Sequence, residues 1–220
     1  MTADAAIVIR RVRRKGRSHD VELQTGENLR LPAETVLKYA IFAEARFAPE
    51  RWLVILQEAW QLKAYERLLG LLARRPHTES EIRTKLFQRK FDRATVAHAM
   101  ARAKAANLLD DAAFAKAFAE ERLTIGAQGR HRISAELRHR GVARDLIEAA
   151  FENVAAQHGD DAEYDQAVAL AQRKWSSLEH REPDRRKRQH KLLAFLASRG
   201  YAPDLCYRVV DTVAGSRTGA

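Results

Sequence analysis

The stretch ISAELRHRGVARDLIEAAF at residues 133–151 decides the fold, because it is typical of a helix, a tight turn and a second helix. Ile133 and Leu137 lie four residues apart, which places both on one face of the first helix. Gly141 follows that helix, where a left-handed cap is common because glycine has no Cβ. The second helix then carries apolar residues as far as Phe151.

The same pattern occurs three times along the chain when Leu86, Leu137 and Leu196 are placed in register. Other apolar residues then coincide in sets of three: Ile82, Ile133 and Leu192; Phe91, Val142 and Tyr201; Val96, Ile147 and Cys206; Met100, Phe151 and Val210. A glycine stands at the turn in the last two copies, at positions 141 and 200, whereas Lys90 occupies it in the first. Lys90 therefore predicts either backbone strain or another turn.

A further helix precedes each copy, beginning at Tyr65, Phe114 and Tyr164, each followed by apolar residues three and four positions on. The repeating unit is thus three helices in about 50 residues. Each helix has one apolar face, so neighbouring units that stack together bury apolar surface that a single unit would leave exposed. We predict a mainly α protein of three tandem three-helix repeats in an elongated, curved array.

The first 60 residues differ from the rest and predict a small β-containing module. Strands are expected at 6–12, 21–24 and 29–31, followed by helices that start at Pro32 and Pro49 and end near Tyr39 and Leu62. The predicted units are the module at 1–62, repeats at 63–109, 110–158 and 159–215, and a disordered tail at 216–220. The polar residues 176–191 predict a long loop in the third repeat and an Arg/Lys-rich start to the next helix.

Composition restricts the class of protein further. The chain has 220 residues, a net charge of +10 and one cysteine, so an internal disulfide framework and a cysteine-rich zinc site are excluded. No apolar run is long enough to cross a membrane, and the N-terminus does not resemble a signal peptide, so we expect a cytoplasmic protein. The positive charge indicates a polyanionic partner.

The basic residues form three clusters. Six arginines and a single acid, Glu136, lie between Arg122 and Arg144; a second cluster lies at 185–191 and a third at 10–17. Any one charged run can simply be a solvated face, but three clusters favour an anionic partner. The clusters do not distinguish DNA, RNA and an acidic protein surface. The candidate contact residues are Arg122, Arg130, Arg132, Arg138, Arg140, Arg144, Arg185, Arg186, Lys187, Arg188 and Lys191.

Other motifs are better explained by structure than by chemistry. The pairs Asp110-Asp111 and Asp160-Asp161 could bind a metal, yet their recurrence before helices favours N-capping. The Gly126–Gly129 spacing resembles a phosphate-clamping loop but lacks flanking strands, so an interhelical loop is favoured. Cys206 is expected in the core. No metal, cofactor or catalytic motif is predicted.

Histidine and tryptophan residues also favour structural roles. His131 and His139 are expected on the outward side of their helix rather than at a metal. Trp52 and Trp60 could stack on nucleic-acid bases, but at helical spacing they are expected to pack the N-terminal helix.

Residues 65–213, about two thirds of the chain, resemble the RecX family of RecA regulators. The resemblance lies in the order and spacing of RRPHTESEI at 74–82, LLDD at 108–111 and FLASRGY at 195–201. Between them lie further matching residues: Phe114-Ala115, Arg122, Gly129, Ile133, Glu136-Leu137 and Gly141-Val142.

The resemblance implies a bent rod of three repeats that binds along the groove of a RecA–DNA filament and suppresses ATPase, coprotease and strand-exchange activities. It implies a regulator of recombination, DNA repair and the SOS response that is not an enzyme, is a monomer and binds single- or double-stranded DNA weakly. The alternative from the residues alone is a stand-alone DNA-binding protein, because each repeat ends in two helices that imitate a helix-turn-helix. An enzyme is a third possibility with little support among the motifs.

Overall fold

The computed structural model describes residues 6–159 and 161–215. The N-terminal module contains an antiparallel sheet in the order β3-β2-β1-β4, with β1 at Ile7–Lys15, β2 at Ser18–Leu23, β3 at Asn28–Pro32 and β4 at Arg46–Phe47. The three predicted strands are confirmed. The two-residue strand β4 was not predicted, because so short a segment has no periodicity.

One face of this sheet forms a core with the helix that follows. Val21 and Leu23 of β2 pair with Val12 and Ile9 of β1, and a bulge at Arg10 keeps these apolar residues on one face. They pack with Leu31 of β3 and with Trp52, Ile55 and Ala59. Trp52 is buried as predicted, whereas Trp60 is 39% exposed and contacts Phe91.

Two helices complete the module, α1 at Ala33–Lys38 and α2 at Pro49–Leu72. The predicted end of the second helix near Leu62 is wrong, because α2 continues for ten further residues, to Leu72. Its first half packs on the sheet, while Ala64, Leu68 and Leu71 belong to the core of the first repeat. The predicted division at residue 62 thus falls inside one helix.

The predicted three-helix repeats are confirmed. The first repeat uses the second half of α2 with α3 at Glu79–Gln88 and α4 at Arg93–Ala105. The second has α5 at Asp111–Thr124, α6 at Arg130–His139 and α7 at Arg144–His158. The third has α8 at Ala162–Glu179, α9 at Arg185–Ser198 and α10 at Pro203–Gly215. The predicted long loop is wrong in extent, since only residues 180–184 separate α8 from the Arg/Lys-rich start of α9.

Each repeat has its own apolar core, and the predicted register places equivalent residues in it. Leu86, Leu137 and Leu196 are fully buried, and Cys206 is buried as expected. All three turns are closed by the same pair of backbone bonds, such as Gly141 N to Arg138 O and Val142 N to Leu137 O. Lys90 adopts the same left-handed backbone, with φ of 66°, so the first repeat carries the strain that the sequence predicted.

The chain divides into two compact units. The first contains residues up to His77 together with Ile82–Leu109, and the second contains Thr78–Glu81 together with the residues from Asp110 onward. The predicted disordered tail at 216–220 lies outside the described residues.

Candidate functional site

Helix α6 carries the central part of the predicted basic surface in the second unit. Ile133 and Leu137 are fully buried, so the opposite side of the helix is solvated and bears Arg132 and Arg138, both exposed. His131 and His139 are also exposed, as predicted. The side chain of Arg138 forms no ion pair or hydrogen bond with the rest of the described chain, which leaves its guanidinium available.

Arg140, at the end of α6, is by contrast part of the scaffold. Its Nη1 donates to Glu81 Oε1 at 2.6 Å, and its guanidinium lies 5.2 Å from the Phe118 ring centroid. Its backbone oxygen accepts a 2.6 Å bond from the Thr78 hydroxyl. With only 28% of its side chain exposed, Arg140 stabilises the second unit rather than facing a partner.

Arg122 and Arg130 lie against aromatic rings. The Arg122 guanidinium is 5.1 Å from the Phe118 centroid, and its Nε is buried without a hydrogen-bond partner among the described residues. The Arg130 guanidinium is 4.5 Å from the Phe151 centroid. Such cation–π contacts use one face of the guanidinium and leave its edge for other groups.

Two further arginines of this region are paired on the surface. Arg132 contacts Glu136 one helical turn away at 3.4 Å, and Arg144 contacts Glu148 at 2.8 Å. Exposed pairs of this kind contribute only about 0.3–0.5 kcal/mol. Both arginines can therefore exchange their carboxylate for a stronger anion at little cost.

Helix α9 concentrates positive charge at its N-terminus, where the helix dipole is already positive. Asp184 caps this end by accepting from the backbone N–H groups of Arg186 and Lys187, at 2.8 and 3.2 Å. The side chains of Arg186 and Lys187 are exposed and form no ion pair in the described part of the chain. Cations in a first helical turn are unfavourable for folding, so an anion bound here would relieve that repulsion.

The other α9 cations have partners within the fold. Arg185 donates to Ala214 O at 2.6 Å, and Arg188 lies 5.1 Å from the Trp175 centroid. Lys191 pairs with Glu182 at 2.7 Å, an arrangement that lowers the pKa of Glu182. Among the predicted contact residues, Arg138, Arg186 and Lys187 are therefore the most available to a partner.

An open cleft of about 260 Å³ lies along α6. Its lining residues are Arg130, His131, Ser134, Arg138, Glu163 and Ala202. Burial raises the pKa of Glu163, although its Oε1 accepts the Arg130 backbone N–H at 2.8 Å. The sequence did not indicate this carboxylate, because the two residues are separated by 33 positions.

The paired carboxylates act partly as predicted. Asp110 caps its own helix by accepting from Ala113 N at 2.8 Å. Asp111 instead accepts from Glu79 N at 2.9 Å and so caps α3. Asp161 makes no capping bond, which contradicts the prediction for it, and Asp160 lies outside the described residues.

No group of three or more His, Cys, Asp or Glu side chains in the described ranges could hold a metal ion. Across residues 6–159 and 161–215, no helix is long and apolar enough to span a bilayer. The Gly126–Gly129 segment is the predicted interhelical loop, and its last residue packs against the backbone of Gly200.

Successive three-helix repeats with solvated cations on α6 and α9 define a helical-repeat protein with basic surface patches. Residues 64–102, 110–150 and 161–210 match, in order, the first, second and third three-helix domains of RecX. The chain belongs to the RecX family.

Relatives of this chain are named regulatory proteins. The chain is 31% identical over 178 residues to the regulatory protein RecX of Clostridium perfringens strain 13, covering 81% of each. It is 30% identical over 149 residues to that of Prosthecochloris aestuarii, covering 68% of this chain and 92% of the relative. A crystal structure of regulatory protein RecX, 20% identical, superposes with a TM-score of 0.69 over 93% of this chain and 99% of the other, which supports the fold.

Proposed function

We propose that this protein binds RecA and RecA–DNA filaments and inhibits RecA ATPase, strand-exchange and coprotease activities. It would thereby modulate recombination, DNA repair and the SOS response, acting as a monomer in the cytoplasm and binding DNA only weakly. Family membership supports the class of function. The observation that supports the contact surface is the set of unpaired cations Arg138, Arg186 and Lys187 on the second unit.

The proposed mechanism is steric and electrostatic. The cations of the second and third repeats meet acidic RecA surface or DNA phosphate, to which arginine can donate two parallel hydrogen bonds. A chain held in the filament groove would hinder subunit addition, entry of homologous duplex and access of repressor substrates. No bond is made or broken by this chain in that mechanism.

Charge reversal at two available cations tests the surface. We expect Arg138→Glu with Arg186→Glu to raise the concentration needed for half-inhibition of RecA ATPase by about tenfold or more, equivalent to about 1.4 kcal/mol. The control is Lys116→Glu with Arg173→Glu, which makes the same charge change on α5 and α8 of the same unit. A folded site variant that inhibits as well as the control would contradict this surface.

Salt dependence separates this proposal from a stand-alone DNA-binding protein. For a protein that contacts only phosphates, the logarithm of the binding constant falls linearly with the logarithm of the salt concentration, with a slope of about −0.9 per contact. A stand-alone binder would have the same DNA affinity and slope with and without RecA. We expect tight association only when RecA is present on the DNA.

A further inference from the structure

The β1–β2 hairpin of the first unit carries cations that the site on α6 and α9 does not include. Its two strands are joined by Gly16-Arg17, where Gly16 alone has a positive φ, 64°, as a type II′ turn requires. Six cations on it are exposed: Arg10, Arg11, Arg13, Arg14, Lys15 and Arg17. Its only carboxylates are Asp20 and Glu22.

Both carboxylates are already engaged. Glu22 accepts from Arg10 at 2.8 Å. Asp20 lies between Arg13 and Arg30 in register, and it accepts two bonds from Arg30, at 2.8 and 3.4 Å. The hydrogen bonds from Arg30 lower the pKa of Asp20, because they stabilise the charged form of this carboxyl group.

Four arginines of the hairpin therefore have no carboxylate partner in residues 6–159 and 161–215: Arg11, Arg13, Arg14 and Arg17. Strand β4 pairs with β1 only at Ile7 and Val8, so no described strand covers the outer edge of β1 along this segment. The hairpin is an open ribbon with unbalanced positive charge.

The arginines lie on both faces of the ribbon. Side chains alternate along a strand, so Arg11 and Arg13 lie on the face opposite Val12, while Arg14 shares the face of Val12. Arg17 lies at the turn. An acidic peptide added as a strand at the edge of β1 would need carboxylates on both of its own faces, because its side chains alternate as well. A DNA groove has phosphates on both sides, and the major groove admits a two-stranded ribbon.

Residues 10–23 contain no Phe, Tyr or Trp, which favours duplex over single-stranded DNA as the partner. Sites for single strands use aromatic rings on which bases stack. Contacts from guanidinium groups to phosphate oxygens position a protein on DNA and carry no sequence information themselves. We propose that the β1–β2 hairpin is a sequence-independent binding surface for the phosphates of duplex DNA. This deepens the proposed function, on whose weak DNA binding it rests, by assigning that binding to a surface of the first unit that acts without RecA.

Binding of the full chain to a short fluorescein-labelled duplex, measured by anisotropy over a salt series without RecA, tests the proposal. Replacement of Arg11, Arg13, Arg14 and Arg17 by glutamine should weaken binding by about tenfold or more at low salt. It should also make the slope of log binding constant against log salt concentration shallower by roughly 3 to 4, since each phosphate contact contributes about 0.9. Replacement of the same four arginines by lysine should restore most of the slope.

A matched control removes the same charge elsewhere in the first unit. It replaces Arg46, Arg74, Arg89 and Arg93 by glutamine, all exposed. Its slope should change by less than about 1. If both variants lose affinity and salt dependence equally, the effect comes from net charge alone, and the proposal is overturned.

Three other outcomes would also overturn it. An unchanged slope for the folded glutamine variant would exclude the hairpin from the contact. If the glutamine variant loses as much affinity for an oligothymidine strand as for the duplex, the partner is not specifically duplex DNA. If the hairpin arginines increase affinity for polyglutamate but not for the duplex, the partner is an acidic protein. Inhibition of RecA by the hairpin variants is measured separately, so failure here is distinguishable from failure of the proposed function.

Discussion

Position 200 requires glycine for two physical reasons. Its φ of 86° lies in the left-handed region, where a Cβ is unfavourable by about 1–2 kcal/mol. A Cβ there would also lie 2.6 Å from the backbone nitrogen of Arg132 and closer still to the Arg132 Cβ. Lys90 shows that the φ value alone is tolerated, so the close approach of α6 is what makes glycine necessary at 200.

We therefore expect Gly200→Ala to lower the free energy of unfolding by about 2–4 kcal/mol, from the left-handed backbone and the clash together. Gly70→Ala is the control, because a Cβ at Gly70 in α2 meets nothing within 4 Å. That change should raise stability by about 0.5–1 kcal/mol. Urea titration followed by circular dichroism measures both, and wild-type stability in Gly200→Ala would contradict the packing described.

Two helices are capped at their N-termini by acids from distant positions. Glu79 N of α3 donates to Asp111, and Arg130 N of α6 donates to Glu163. The residue before α6 is Gly129, which has no side chain with which to cap. An acid at the start of one repeat thus satisfies a backbone donor of the preceding repeat in both cases.

Because Glu163 caps a helix from a partly buried position, we expect the stability of the fold to depend on pH. Its pKa is raised by burial, so the folded state binds more protons, and its contribution to stability falls as pH rises from 4.5 through the folded-state pKa. Glu163→Gln keeps an oxygen acceptor without the charge, so it should match or exceed wild-type stability at neutral pH and lack this fall. Glu163→Ala should lose about 1 kcal/mol.

Unfolding measured at neutral pH and near pH 4 separates the three proteins. If Glu163→Gln is as destabilised as Glu163→Ala at neutral pH, the charge matters more than the acceptor and the burial argument is wrong.

The elements differ in how far the sequence could predict them. The helix–turn–helix units were predictable, because Leu86, Leu137 and Leu196 align over short spacings. The length of helix α2 was not predictable. Each half has its own apolar periodicity, and the two halves form one helix because they pack against two different cores. The cross-repeat caps join residues 32 and 33 positions apart, for which no local pattern exists.

At the scale of the molecule, the net charge of +10 overstates the number of cations open to a partner. Arg140 and Arg188 stack on rings inside the repeats, and Arg185 is bonded to a backbone oxygen. Sequence clustering located the basic regions, but it could not separate these residues from available ones such as Arg138, because their partners come from other helices.

We propose that this chain regulates RecA by binding it. RecA-catalysed ATP hydrolysis on single-stranded DNA, measured with the protein below stoichiometric amounts, tests it most directly. We predict that the hydrolysis rate falls as the protein is added. If the hydrolysis rate is unchanged at every ratio, with both proteins folded and the filament formed, this chain does not regulate RecA by binding it.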